Sequence, residues 1–250
     1  MEGHAEVRTV VDWKAVGWEE LTPGAGRIRL PGWDATAGLV VGAGAALLID
    51  TGSSLREGAR LRADVRRLLG AHARVTHIVL THPHFDHVLG TAAFAGVETY
   101  GAVGIDTVLT RGRDALYEDA VRHGLPPDEA AGATDVLVVP RHRVSGEWTL
   151  DLGEGLQVLI ANLGPAHTAH DLVVLVPGNP VTVFCGDLVE ESGEPQAGPD
   201  AAPGHWPAAL DRLLALGGED ALYVPGHGSV VNAAFVRAQR ATLLARSGVS

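Results

Sequence analysis

Between Thr81 and His87 the chain reads Thr-His-Pro-His-Phe-Asp-His, and this segment restricts the fold more than any other feature. His82 and His84 are two residues apart, so in an extended backbone both imidazoles point to one side and can share a metal ion. Pro83 fixes its own φ and disfavours helix at the residue before it, which keeps that backbone extended. Asp86 and His87 follow at once, where the chain is expected to turn into a helix beginning near Val88. Four nitrogen or oxygen ligands in six residues are too many for one compact tetrahedral point, because the local backbone cannot aim all four at it. Two metal positions are therefore expected. The apolar run at residues 75–80 reads as a buried strand that delivers the segment.

Three more candidate ligands lie downstream. His167 stands in Gly164-Pro165-Ala166-His167-Thr168, ahead of a strand-like run at 172–176. Asp187 follows the run at 181–184 in Cys185-Gly186-Asp187, and His227 follows the run at 221–224 in Pro225-Gly226-His227-Gly228. All three sit at the end or edge of a predicted strand, where α/β proteins commonly gather functional side chains.

The remaining pattern supplies a frame for them. Apolar runs at 37–42 and 45–50 flank a small-residue turn and predict a hairpin. Ser54 with Glu57 forms a capping box, after which Leu61, Val65, Leu68 and Leu69 share a helical face and Gly70 offers a stop. Further strands are expected at 135–139 and 157–160, and helices at 114–123, 206–216 and 232–245. Ala46 to Asp50 and Val181 to Asp187 are each an apolar strand ending in aspartate, which suggests a repeated hairpin-plus-helix unit. Two such units give an α/β fold of two sheets packed face to face with helices outside, a four-layer αβ/βα sandwich. At 250 residues the chain is read as a single domain over 1–250. Residues 193–204, rich in Gly, Pro and Ala, are expected to be a loop beside Asp187.

Asp50-Thr51-Gly52, the His82 to His87 segment, His167, Gly186-Asp187 and Pro225-Gly226-His227-Gly228 resemble the metallo-β-lactamase superfamily in order and approximate spacing. The resemblance implies the four-layer sandwich with a dinuclear centre. It implies His82, His84 and His167 on one metal, Asp86, His87 and His227 on the other, and Asp187 bridging them. Asp50 is similar to the family's buried aspartate that organises the histidine loop by hydrogen bonds. Imidazoles and carboxylates without thiolate suit two divalent ions, zinc foremost, with iron and manganese also accommodated. Two ions can hold a bridging hydroxide at neutral pH while one polarises a carbonyl or phosphoryl oxygen, so a hydrolase is expected, with Asp86 orienting the nucleophile and passing a proton.

Composition narrows the partners. Thirty acidic against 19 basic residues leave a net charge of -11, which repels polyanions, so a small-molecule substrate is expected and nucleic acid is not. Cys185 is the only cysteine, which excludes an intrachain disulfide framework. Residues 1–20 mix charges with apolar residues and lack the apolar core of a secretory signal, and no run approaches membrane-spanning length, so a cytoplasmic location away from membranes is expected.

The branch is read from departures. Zinc-cysteine lactamases place a thiolate where this chain has Asp187 and a cation three residues later, where it has Glu190, followed by Glu191 and Glu194. A β-lactam carboxylate or a phosphodiester would be repelled there. Asp187 and His170 look more like the glyoxalase II branch, yet only 22 residues follow Gly228, too few for that branch's glutathione-binding helices. The expectation is hydrolysis of a small ester, thioester or lactone. The alternatives are a persulfide-dioxygenase-like oxidoreductase with one iron on His82, His167 and Asp187, a β-lactamase, and a non-catalytic metal-binding module. Cys185 reads as a buried thiol, His170 as a residue outside the ligand set, Trp206 as helix core and Trp33 as a candidate pocket wall.

Overall fold

A computed structural model of the protein describes residues 11–70 and 73–246. The first ten residues of the segment read above for a secretory signal lie outside that range.

Seven strands form the first sheet in chain order: β1 (Glu19–Thr22), β2 (Ala25–Arg29), β3 (Thr36–Val41), β4 (Ala46–Ile49), β5 (Val75–Val79), β6 (Glu98–Ala102) and β7 (His142–Val144). Five form the second, β8 (Glu147–Asp151), β9 (Gln157–Asn162), β10 (Leu172–Val176), β11 (Thr182–Glu190) and β12 (Leu222–His227), ordered β12-β11-β10-β9-β8. The helices are α1 (Leu55–Leu69), α2 (Phe85–Val88), α3 (Ile105–Arg111), α4 (Arg113–Arg122), α5 (Pro127–Asp135), α6 (Trp206–Gly217) and α7 (Ala233–Arg246).

Buried apolar side chains fall into three layers, which is what two sheets with helices on both outer faces require. Leu47, Ile49, Val79, Val158, Ile160 and Val174 fill the space between the sheets. Leu61, Val65 and Leu69 of α1 pack with Leu48 and Ile78 on the outside of the first sheet. Trp206, Leu210 and Leu213 of α6 and Val236 and Leu243 of α7 cover the second with Val173 and Val183. Successive residues of one strand thus serve opposite layers, as Leu47 and Leu48 do, because side chains alternate along a strand. This is the expected αβ/βα sandwich.

The helix after Ser54 forms as read. Ser54 Oγ accepts from the Glu57 amide at 3.2 Å, while the Glu57 carboxylate reaches back to Ser53 rather than Ser54, accepting from its amide at 2.8 Å and its hydroxyl at 2.7 Å. Two expectations fail. Residues 136–139 make no strand: α5 continues to Asp135, and the chain then crosses to β7 with Val136 and Val139 exposed and only Leu137 packed on the core. The apolar run there finds no neighbouring strand edge to pair with. The helix near Val88 is instead the single turn α2, which starts at Phe85 and ends at Val88.

Topology places the site. β4, β5, β6 and β7 are parallel, and so are β11 and β12, so the ends of β4, β5, β11 and β12 lead into the same rim of the sandwich. The Leu172 amide donates to the Thr81 carbonyl at 2.8 Å, and Ala35 bridges His227, tying the two sheets together at that rim.

Candidate metal centre

Beyond β5 the chain stays extended through His84 (φ -75°, ψ 151°), so the rings of His82 and His84 come to the same side with centroids 4.7 Å apart. The α2 turn then swings Asp86 and His87 round, and the His87 and Val88 amides donate to the His84 carbonyl at 3.1 and 3.2 Å. Local geometry alone therefore separates His82 and His84 from Asp86 and His87.

Asp50 holds this segment. Its Oδ1 accepts from the Thr81 amide at 2.8 Å, and its Oδ2 accepts from the Thr81 hydroxyl at 2.7 Å and from His87 Nδ1 at 2.9 Å. Because the Thr81 hydroxyl proton is committed to Asp50, its oxygen accepts from His82 Nδ1 at 3.0 Å. Two imidazoles are thereby fixed with Nδ1 as donor and Nε2 facing the centre. The other three also have one nitrogen held by an outer acceptor, His84 with Nδ1 rather than Nε2 turned inward. His84 Nε2 donates to Asp200 at 3.1 Å, His167 Nδ1 to the Gln196 carbonyl at 3.0 Å, and His227 Nδ1 to the Trp33 carbonyl at 2.8 Å. Such outer partners set the tautomer and the aim of a metal-binding imidazole.

All seven candidate ligands converge in two groups, within each of which ligand atoms lie within 4.8 Å of one another, and a third group, Asp187, Glu190 and His227, shares one residue with each. One is His82, His84, His167 and Asp187; the other is Asp86, His87 and His227. Asp187 lies between them. Its Oδ2 is 3.6 Å from His82 Nε2, 3.4 Å from His167 Nε2 and 3.2 Å from His227 Nε2, and its Oδ1 is 3.2 Å from His87 Nε2. Asp86 Oδ2 is 3.4 Å from His227 Nε2 and 3.6 Å from His87 Nε2.

The donor set fits bound cations. His82 Nε2, His87 Nε2 and Asp187 Oδ1 are buried without a hydrogen-bond partner among the described residues, an arrangement that costs free energy unless something else satisfies them. His167 Nε2 and His84 Nδ1 face each other at 3.0 Å, and the opposite nitrogen of each ring is engaged by an outer acceptor. Burial pushes His82 well below the usual histidine value and His167 down to about 4, which keeps these two rings neutral, whereas the carboxylates around His84, His87 and His227 outweigh burial and raise all three, His227 to about 9. Burial by itself would raise Asp187, but the imidazoles of His87 and His227, both raised above the usual histidine value, hold it well below the usual carboxylate range.

Room for Asp187 comes from Gly226, where a Cβ would fall on Asp187 Oδ1. Gly226→Ala is expected to destabilise the protein by about 1–3 kcal/mol through overpacking and to lower its metal content. A thermal melt beside elemental analysis reads both effects, and unchanged values would show that Asp187 has room to move.

The residues left open in the sequence divide. Cys185 faces away, its thiol donating to the Val183 carbonyl in the layer under α6 and α7, where burial raises it above the usual thiol value. His170 packs against Gly104 and bonds the Val103 carbonyl, outside both groups. Trp206 is core, donating from Nε1 to the Leu188 carbonyl at 3.0 Å and meeting the His167 ring edge-on. Trp33 and Glu190 do line the site. They bound a cavity of about 840 Å³ that opens onto His84, Asp86, His167, Asp187 and His227, with α3 and α4 on one side and the loop 192–200 on the other. Sequence reasoning missed Gln196 and Asp200 as partners of His167 and His84. Their only signal was a loop placed next to Asp187.

The description "metallo-beta-lactamase superfamily" matches residues 30–227 of the chain. Metallo-beta-lactamase domain-containing protein 1 of Xenopus laevis is 30% identical over 126 residues, covering 50% of this chain and 42% of that protein. The hydroxyacylglutathione hydrolase of Nitrosococcus oceani is 26% identical over 159 residues, covering 64% of this chain and 51% of that protein. The matches thus span about half the length of these curated relatives or less. Among solved structures, the metallo-β-lactamase FIM-1 of Pseudomonas aeruginosa in its mono-zinc form superposes with a TM-score of 0.70 at 21% identity, covering 93% of this chain and 96% of that one. DIM-1 metallo-β-lactamase gives 0.70 at 18%, covering 92% and 97%. At such identities the likeness is one of fold.

Proposed function

The chain belongs to the metallo-β-lactamase superfamily, and from that premise we propose that it is a two-metal hydrolase of a small ester, thioester or lactone. The observation that carries this reading is the set of buried, unpartnered atoms His82 Nε2, His87 Nε2 and Asp187 Oδ1, which face one another around Asp187, itself part of the lining of an open cavity. His82, His84 and His167 would hold one divalent ion, Asp86, His87 and His227 the other, and Asp187 would serve both. Zinc suits the set best, and iron and manganese also fit it. Bound there, two divalent ions lower the pKa of water and polarise a carbonyl oxygen.

The chain's own residues do the rest. Asp86 stands beside His227 and faces the cavity, so its carboxylate can orient the attacking water and carry its proton to the leaving group. Asp187, pinned between the two imidazole groups, fixes their separation. Trp33 and Phe85, in edge-to-face contact with centroids 5.2 Å apart, form an apolar wall that holds water back from the carbonyl side. Glu190, Glu194 and Asp200 line the same cavity, and their charge disfavours phosphodiesters and β-lactam carboxylates.

The test is a panel of esters, thioesters, lactones and β-lactams run on zinc-, iron- and manganese-loaded protein with elemental analysis, alongside Asp86→Asn. Hydrolysis of a neutral ester or lactone with two ions bound is expected, and a fall of about 10²–10⁴-fold in Asp86→Asn. Protein that binds no transition metal would end this reading. Oxygen uptake with a persulfide on the iron form would replace it by an oxidation.

A further inference from the structure

Glu190 is a buried carboxylate in the wall of the substrate cavity, only 6% exposed, near the end of β11 and paired in register with His227. Its backbone is pinned from behind: the Glu190 amide donates to Gln239 Oε1 at 3.1 Å, and Gln239 Nε2 donates to the Leu188 carbonyl at 2.7 Å. Its Oε2 accepts from the Gln196 amide at 3.0 Å. The other carboxylate oxygen has neither a hydrogen-bond donor nor an ion pair among the described residues.

The remaining carboxylates of that wall do not share this condition. Asp119 pairs with Arg122 at 2.9 Å, Asp200 with His84 at 3.1 Å, and Glu194 with Arg246. Among the described residues Arg122 is the only arginine or lysine lining the cavity, and Asp119 already engages it. Glu190 lines the open cavity, so a cation that arrives with the ligand can meet its free oxygen directly. Across the cavity Trp33 and Phe85 present aromatic surface, which also favours a cation.

We propose that Glu190 is a specificity residue that selects substrates carrying an ammonium group close to the scissile carbonyl. The inference rests on the hydrolase reading above. Geometry sets the spacing of the two groups. A Glu190 carboxylate oxygen lies within 4.8 Å of ligand atoms of Asp187 and His227, and an ammonium donates to a carboxylate at about 2.8 Å. A nitrogen held there reaches a carbonyl at the centre only when one or two carbons separate them. The class is therefore α- or β-amino esters, thioesters and lactones, with the apolar walls taking the remainder of the molecule.

The experiment compares the p-nitrophenyl esters of leucine and of 4-methylpentanoic acid, which differ only in the amino group, on zinc-loaded wild type and Glu190→Gln. The variant keeps an acceptor for the Gln196 amide and loses the charge. Its kcat/KM is expected to fall about tenfold to a hundredfold more for the amino ester than for the other. Equal losses for both would overturn the proposal and leave the hydrolase reading standing. Calorimetric titration with hexylguanidinium, a cation that donates N–H and does not coordinate a metal while protonated, gives a readout independent of turnover. At least tenfold tighter binding by wild type than by Glu190→Gln supports cation recognition even if neither ester is hydrolysed, in which case the hydrolase reading alone fails. Equal binding overturns it, as would a loss of zinc in the variant, which would make Glu190 a metal ligand instead.

Discussion

Asp187→Ala is expected to reduce the metal content of the purified protein from two ions per chain to one or none and to lower turnover by orders of magnitude. Asp187 is the one side chain that touches both imidazole groups, with Oδ2 against His82, His167 and His227 and Oδ1 against His87. Removing its charge leaves four closely set nitrogens to confront one another around whatever ions remain. Histidine supplies neutral ligands, so the compensation of two dications falls on Asp86 and Asp187, and loss of one halves it. Asp187→Asn keeps the volume over Gly226 and removes the charge, which separates packing from electrostatics. Elemental analysis of both variants, purified with zinc present, reads the outcome. Two ions and full turnover in Asp187→Asn would refute the shared-carboxylate assignment.

The second large effect concerns folding rather than chemistry. In Asp50→Ala, the Thr81 amide, the Thr81 hydroxyl and His87 Nδ1 all lose their acceptor while remaining buried. Each unsatisfied buried donor costs about 1–3 kcal/mol, and a typical domain has only about 5–15 kcal/mol of stability in total. Denaturant unfolding is expected to show a loss of several kcal/mol, with the metals removed from both variant and wild type so that binding does not mask it. In protein that still folds, metal affinity is expected to drop about tenfold to a hundredfold, since His82 and His87 lose their aim. A variant as stable as wild type would show that Thr81 and His87 find other acceptors.

The positions that converge on the candidate centre were legible because the chemistry is written into short spacings. His82 and His84 had to share a side in an extended segment, and His167, Asp187 and His227 each adjoined a strong apolar run. The strands around them were less so. β6, Glu-Thr-Tyr-Gly-Ala, and β8, Glu-Trp-Thr-Leu-Asp, carry too many polar residues and glycine to read as strands, and they form because a neighbouring strand offers its edge. The converse error occurred at residues 136–139, where local apolarity met no partner. Contacts that aim the imidazoles were illegible for another reason. Trp33 with His227, Gln196 with His167 and Asp200 with His84 join residues far apart in sequence through backbone carbonyls or a loop aspartate, and nothing local marks them.

The clasp between the start and the end of the fold bears on the order in which the centre can be assembled. Arg27 donates to the Gly228 carbonyl at 2.8 Å across 201 residues, the Gly228 amide donates to Asp34 at 3.1 Å, and His227 leans on the Trp33 carbonyl. A growing chain therefore has His82, His84, His167 and Asp187 in hand well before His227, whose aim depends on a strand made at the outset. On the proposed two-metal reading, a first ion could be captured by a partly built molecule, whereas a second would wait for closure of one of the longest loops in the protein, a slow step for entropic reasons. On that reading metal supply during synthesis would act on the two positions at different times.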